Sequence, residues 1–464
     1  MAFFSTKSIV SLGLVVFVGV LLSGCGFKET ATETYKVKLE VWDVFDDNDV
    51  YKEIFAEYKK INPYVSEITY RKFSPETYKE DLLNALAAGK GPDIFMIRNA
   101  WRASFEDKIA VAPEYFTEKQ YRDALVDVAA DDFIKEGKIY GVPLSVDSLG
   151  LYYNKDLFNA VGITAPPATW EELLVDIKKL NRLDAFGNFS QSAIALGTAY
   201  NINRSTDILT VLALQMGAGQ SDQGSGNIFS SAVSQRAIDF YTQFSRIGSG
   251  AYSWNPRLHY SIDAFYEGTL GMMINYSWHT ATIKQKNAKM NFGVAPLPQF
   301  ANTAPVNFVN YWGFVVAKNK MTAETPVAKD APPVNISKQN LLRVHEAWQL
   351  LQYMALPHAR NIVTLRNGLT GATKDFTLPF DPTKKYLEKA ARPAARRDLV
   401  EWQKNSILLE PFALGNLVAK NWHQGNPEGV ETILAEMINV VNTGEKSVSQ
   451  ALNTATARIN TLSR

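Results

Sequence analysis

The sequence predicts an α/β fold in two lobes, on three observations. Strand-type and helix-type segments alternate as β-α-β-α-β from Val37 to Ile97, a second strand, break and capped helix follow between Leu149 and Leu180, and the chain has 464 residues. Alternation of that kind builds a mostly parallel sheet covered by helices. A chain of this length exceeds what one hydrophobic core usually serves.

Val37, Leu39 and Val41 alternate with Lys38 and Glu40, the period of a half-buried strand. Val50, Ile54, Phe55, Tyr58 and Ile61 then recur at helical spacing until Asn62-Pro63. Ile68-Thr-Tyr is a second strand, Ser74-Pro75 opens a second helix with proline in its first turn, and Gly89 supplies the C-cap. Asp93-Ile-Phe-Met-Ile97 is apolar after its first residue, as a parallel strand covered on both faces should be. The acids Asp46-Asp47-Asn48-Asp49 lack the alternation, Gly and closing Glu of a calcium loop, so capping of the following helix is the simpler reading. Asp43 or Asp46 remains a ligand candidate, because both stand at the carboxyl end of the first strand, where open α/β sheets bind. The same rule selects Asn99 and Trp101 after the third strand, with packing under a loop as the competing role for Trp101.

Leu149 to Tyr153 is a short apolar strand, Ala165-Pro166-Pro167-Ala168 stops regular structure before the next helix, and Thr169 with Glu172 forms a capping box ahead of Leu173, Leu174, Ile177 and Leu180. Asp147 stands at the entrance, where a carboxylate facing a cleft is costly unless paired or wet. The order Lys138-Ile-Tyr-Gly-Val-Pro-Leu, Asp147, Leu151-Tyr-Tyr-Asn-Lys-Asp-Leu-Phe and Thr169-Trp170-Glu171-Glu172-Leu173 resembles the first interlobe crossing of family 1 extracellular solute-binding proteins. These are the sugar-type binding components of ABC importers, similar to maltose-binding protein. The resemblance runs from about Val37 to the C-terminus and is specific for the family rather than for a ligand. It implies a type II periplasmic-binding-protein-like fold, two lobes joined by crossing segments with a cleft between them.

Phe265 to Trp278 reads as a helix end, a Gly break and a short buried strand with Tyr276 and Trp278 at its tip, and the family has the same phrase with a ligand-stacking aromatic there. Asn291 to Pro298 matches the next strand. Asn310-Tyr311-Trp312-Gly313 and Phe314 to Ala317 resemble a second crossing, and Arg366-Asn367-Gly368-Leu369 begins a third. Between them, Val344 to Leu365 reads as a helix pair broken at Pro357, and Lys318 to Lys338 as a surface insertion. Leu399 to Leu462 supplies closing helices, interrupted at Gly425-Asn426-Pro427. The Gly-rich loop Gly217 to Gly226 lacks the Gly-Lys-Ser/Thr ending of a phosphate cradle and reads as surface. Residues 37–145 with 314–370 are thus expected to form one lobe, and 146–313 with 371–464 the other.

At the start, Lys7 precedes a mostly apolar run, Ile9 to Leu22, that is shorter than the ~20 residues a spanning helix needs and suits a signal peptide. Leu22-Ser23-Gly24-Cys25 resembles a lipobox, which implies that residues 1–25 end at a lipidated Cys25 and that 26–36 form a tether; an uncleaved anchor is the alternative.

Net charge is +1 and Lys and Arg are dispersed, so no nucleic-acid surface is indicated. Cys25 is the only cysteine, which excludes an internal disulfide framework, and the five histidines do not fall at zinc-binding spacing. No cofactor motif and no Gly-x-Ser-x-Gly elbow is present. Aromatic residues are abundant, and Trp101, Trp278, Tyr311 and Trp312 fall at expected loop tips, where flat rings suit the faces of a sugar. The expected ligand set is Asp43, Asp46, Asn99, Trp101, Asp147, Tyr276, Trp278, Tyr311 and Trp312, acting in a monomer that closes on a small solute without altering it. The resemblance implies delivery to a membrane permease. Two alternatives stay open: a lipid-anchored glycan-degrading enzyme, and a ferric or anion receptor of the same fold using Tyr152-Tyr153, which adjacent strand positions would point to opposite faces.

Overall fold

The computed structural model describes residues 35–219, 227–230, 232–320 and 336–462. The signal stretch, Cys25, most of the tether, residues 220–226 of the Gly-rich loop and most of Lys318 to Lys338 lie outside these. Two sheets organise the rest. The first comprises β1 (Val37–Asp43), β2 (Val65–Lys72), β3 (Ile94–Arg98) and β9 (Trp312–Val316), in the order β9-β3-β1-β2. The first three strands are parallel, while β9 runs antiparallel to β3 because it returns from the other half of the molecule. Helix α1 (Asn48–Ile61) buries Val50, Tyr51, Ile54, Phe55, Tyr58 and Ile61 against this sheet, at roughly 1.5–3 kcal/mol for each large apolar side chain fully removed from water. Helix α2 (Tyr78–Ala87) ends at Gly89, whose φ of 67° is the left-handed turn only glycine takes without strain.

The second sheet has the order β8-β4-β7-β6-β5, from β4 (Gly150–Asn154), β5 (Arg182–Leu183), β6 (Phe189–Ile194), β7 (Leu270–Asn275) and β8 (Phe292–Pro296). Helix α3 (Asp127–Phe133) belongs to the first half, and α4 (Trp170–Leu180) and the fully buried α5 (Ser205–Gln215) pack in the second. The capping box is formed: Thr169 Oγ1 accepts from Glu172 N at 3.2 Å, and Glu172 Oε2 accepts from Thr169 N at 3.2 Å and Ala168 N at 2.8 Å. Thr169→Ala is expected to cost about 1 kcal/mol. A lowered urea midpoint at unchanged slope would register that loss.

Two crossing strands lie side by side between the sheets. Val142 bridges Phe314, Ser148 bridges Val309, and Asn310 N donates to the Asp147 carbonyl at 3.0 Å. Asp147 is therefore fixed at the junction by backbone pairing on its own strand.

Several local expectations are corrected. Ser74 O accepts from both Thr77 N and Tyr78 N, so Pro75 sits in a preceding turn and α2 starts at Tyr78. Asp47 takes the N-cap position of α1 without a side-chain cap, its carboxylate meeting Lys72 at 2.8 Å instead. The stretch read as a helix pair is one helix, α6 (Ile336–Ala355), followed by a strand, Ile362–Arg366, whose β-branched residues favour extension. Arg366 to Leu369 is not a crossing but the turn of a hairpin, because Asn367 Oδ1 accepts from Leu369 N and Thr370 N and folds the chain back. Helix α7 (Pro382–Ala390) packs on α1 and α6, which keeps that part of residues 371–464 with the first sheet rather than the second. Helices α8 (Pro427–Asn442) and α9 (Val448–Leu462) then pack together in the core of the second half.

Candidate functional site

Between the two halves, at the carboxyl ends of β1 and β3, lies a cavity of about 480 Å³. Phe45 and Asp46 follow β1, Met96 and Arg98 come from β3, Asn310, Tyr311 and Trp312 lead into β9, and Tyr386 and Arg392 close the first wall. Asp147 lies on the crossing, and Arg204, Trp278 and Thr282 form the facing wall. A larger open hollow of about 610 Å³ near Thr303–Val306 and Leu417–Lys420 carries no aromatic side chain in its lining. The smaller space has the flat rings and converging polar groups that small-solute sites use.

Asp147 is 5% exposed, and among the described residues its carboxylate takes hydrogen bonds from Ser277, from the backbone N–H at 3.1 Å and the hydroxyl at 2.6 Å. Burial pushes its carboxyl up to about 7, against the lowering effect of the Ser277 hydrogen bonds and of Arg392. A group poised in this way accepts a hydroxyl from a ligand readily, because the ligand supplies the solvation that the protein withholds.

Trp278, 37% exposed, stacks on Tyr276 with ring centres 4.6 Å apart. Tyr276 does not itself reach the cleft. Its ring is buried and its hydroxyl donates to Asp207 at 2.7 Å, so it backs the tryptophan rather than meeting a guest. On the opposite wall Trp312 takes edge contacts from Phe45 at 5.3 Å and Trp101 at 5.0 Å. Two tryptophans thus face the space from separate halves.

Among the other expected residues, Asp46 lines the cleft but is engaged, with Arg392 Nη2 at 2.8 Å and the Tyr386 hydroxyl at 2.9 Å. Asp43 lies behind it, fully buried, and accepts from Phe45 N at 2.9 Å and the Tyr51 hydroxyl at 2.7 Å. Burial raises the Asp43 carboxyl, and the neighbouring Asp46 charge raises it further. The Asn99 amide and the Tyr311 hydroxyl are both taken by one buried carboxylate, Asp132 of α3, at 3.0 and 2.6 Å, although Tyr311 still contributes to the cavity lining. Trp101 packs beneath Trp312 and donates to Glu428 at 2.6 Å. Its packing role is the one the structure has.

Sequence reasoning missed the arginines. Arg98 is one residue before Asn99 at the end of β3, so the strand-end rule should have included it. Arg204 and Arg98 meet at Asn310, whose amide oxygen, oriented to satisfy both, accepts at 2.6 and 3.1 Å. Arg392 reaches Asp46 across a separation of 346 residues, for which the sequence holds no signal.

A family model described as bacterial extracellular solute-binding protein matches residues 44–360. A binding protein of Brucella abortus is 24% identical over 253 residues, 53% of this chain and 59% of that protein, so the chain spans about six-tenths of the length of the first relatives it matches. The sn-glycerol-3-phosphate-binding periplasmic protein UgpB of Salmonella typhimurium is 25% identical over 411 residues, 83% of this chain and 84% of the other. In three dimensions the cyclic α-maltosyl-1,6-maltose binding protein of Arthrobacter globiformis superposes with a TM-score of 0.69 over 92% of this chain and 99% of that one, at 19% identity. That likeness shows the fold: two lobes with a cleft between them.

Proposed function

Because the chain belongs to the bacterial extracellular solute-binding protein family, we propose that its cleft takes up a small carbohydrate outside the cytoplasm and delivers it unchanged to the permease of an ABC importer. The observation that carries this reading is the pairing of Trp278 and Trp312 on facing walls with the buried Asp147, held on Ser277, between them. Rings contact the C–H faces of a sugar, and the carboxylate takes a hydroxyl. Ligand touching both walls favours closure by the difference in its affinity for the two forms. The lobes would pivot on the crossings that include Asp147 and Asn310. A lipid anchor at Cys25 and a monomeric state complete the proposal, with hydrolysis of ATP left to a separate subunit.

Binding is favoured over glycan turnover because both cleft carboxylates have fixed partners, Asp46 in an ion pair and Asp147 on Ser277. Neither stands free as the acid and base that glycoside hydrolysis needs. The ferric alternative also loses its geometry. Tyr152 is buried with its hydroxyl on the Tyr276 carbonyl at 2.7 Å, while Tyr153 packs on Phe158. Three arginines in the cleft favour one second reading, a phosphorylated polyol, although Arg98, Arg204 and Arg392 already pair with Glu431, Asp207 and Asp46.

Thermal-shift measurements on the mature protein with glucose, maltose, maltotriose and glycerol 3-phosphate separate these readings. A ligand at 100 times its Kd adds about 2.7 kcal/mol of stability. Stabilisation by a saccharide is the expected result; a response to the phosphate alone would replace the carbohydrate reading, and no response to any saccharide would end it.

A further inference from the structure

Helix α8 opens with Asn426 Oδ1 accepting from Gly429 N at 3.0 Å and with Pro427 at its first position. Val430, Ile433, Leu434, Met437 and Ile438 bury one face in the core of the second half. Glu428 and Glu431, three residues apart, therefore share another face. Both carboxylates reach the first half of the molecule. Glu431 Oε1 accepts from Arg98 Nη2 at 2.6 Å, and Glu428 accepts from Trp101 Nε1 at 2.6 Å and pairs with Lys79 of α2 at 3.3 Å. Lys79 in turn lies 4.6 Å from the centre of the Trp101 ring.

The residues held this way are those that build the cleft. Arg98 lines it, Trp101 supports Trp312, and Arg204, which lines it from the other side, has Nη2 3.5 Å from the same Glu431. We infer that Glu428 and Glu431 form a clasp between the lobes, positioning Arg98 and Arg204 in the ligand site and setting how much of the protein is closed. The clasp concerns closure and so goes beyond the carbohydrate assignment. The Arg98–Glu431 contact is partly buried, its side chains 16% and 32% exposed, and keeps more of its strength than a fully solvated pair, whereas Lys79–Glu428, 41% and 46% exposed, contributes less. The three interlobe contacts acting together change the ratio of closed to open forms by about ten-fold.

The test is small-angle X-ray scattering on the ligand-free mature protein and its E428Q/E431Q variant. The variant is expected to have the larger radius of gyration; added salt should expand the wild type toward it and leave the variant unmoved. Lys79→Met, on the opposite lobe, should act in the same direction and combine non-additively with Glu428→Gln, which a mere loss of helix stability would not do. With maltotriose as probe, E428Q/E431Q should release it about ten-fold faster, and the faster release should be largest at low salt. Radii of gyration that coincide for wild type and both variants at low and high salt would overturn the clasp. Failure of maltotriose and every other saccharide to bind would instead remove the carbohydrate reading, because the scattering result needs no ligand.

Discussion

Asp147→Asn is expected to weaken ligand binding about 100-fold or more while making the empty protein more stable. A hydrogen bond to a charged group is worth roughly 1.5–3 kcal/mol, and leaving a ligand hydroxyl mismatched inside a closed cleft adds to its loss. The gain in stability has a separate cause. Asp147 titrates near 7 in the folded protein against an ordinary 3.8, because burial disfavours its charge. An acid whose folded pKa is raised is penalised once pH exceeds its unfolded value, so its cost to stability grows from about pH 4 and is complete above about pH 7. Asparagine removes that charge, can still accept from Ser277, and should recover on the order of 1–3 kcal/mol at neutral pH. In the wild type, a ligand hydroxyl donated to the carboxylate lowers its pKa in the complex. Affinity should therefore fall as pH drops below about 7 and level off above it. Calorimetric titration on both sides of that pH, with thermal melts of the variant, reads all three effects; unchanged affinity in the variant would remove Asp147 from the site.

Arg392→Met should destabilise the fold by about 3–5 kcal/mol at neutral pH, the usual result of stranding a buried charge. The guanidinium is the cation that faces two neighbouring buried carboxylates, contacting Asp46 through Nη2 at 2.8 Å and Nε at 3.2 Å, with Asp43 behind. Tyr386 and Tyr51 donate into the same pair of carboxylates, so the cluster joins α7 to the end of β1. Without the cation, Asp43 and Asp46 repel in a low-dielectric setting. The loss should shrink on acidification, because protonating either carboxylate relieves that repulsion. Adding Asp46→Asn should recover much of it at neutral pH, since a neutral pair needs no counter-ion. Urea unfolding measures each step, and a loss under about 1 kcal/mol for Arg392→Met would show the pair to be solvated rather than structural.

The legible parts of this molecule are those whose physics is short-ranged. The alternation in β1, the 3.6-residue period of α1 and α4, the Thr169–Glu172 box and the left-handed Gly89 each depend on neighbours within about one helical turn. The first strand, the third strand and the segment at Trp312 were readable for the same reason. The places of Trp278 and Asp147 in the cavity lining were readable because each ends or enters a strand whose direction the local pattern reveals. Errors arose where a local signal had competing outcomes. Asn367-Gly368 suits a crossing as well as a hairpin turn, and only pairing of Ile362–Arg366 with Thr373–Thr377 decides between them.

By itself, the sequence determined the α/β alternation, the family and the segments that supply the cleft. Which side chains open into it was decided by tertiary structure alone. The Asn99 amide and the Tyr311 hydroxyl were drawn off to Asp132, the Asp46 carboxylate to an arginine 346 residues away and the Trp101 indole to a glutamate 327 residues away, while the Tyr311 and Asp46 side chains still line the cleft. A buried carboxylate takes whichever donors the packed chain brings within about 3 Å, and separation along the sequence places no limit on where those donors come from.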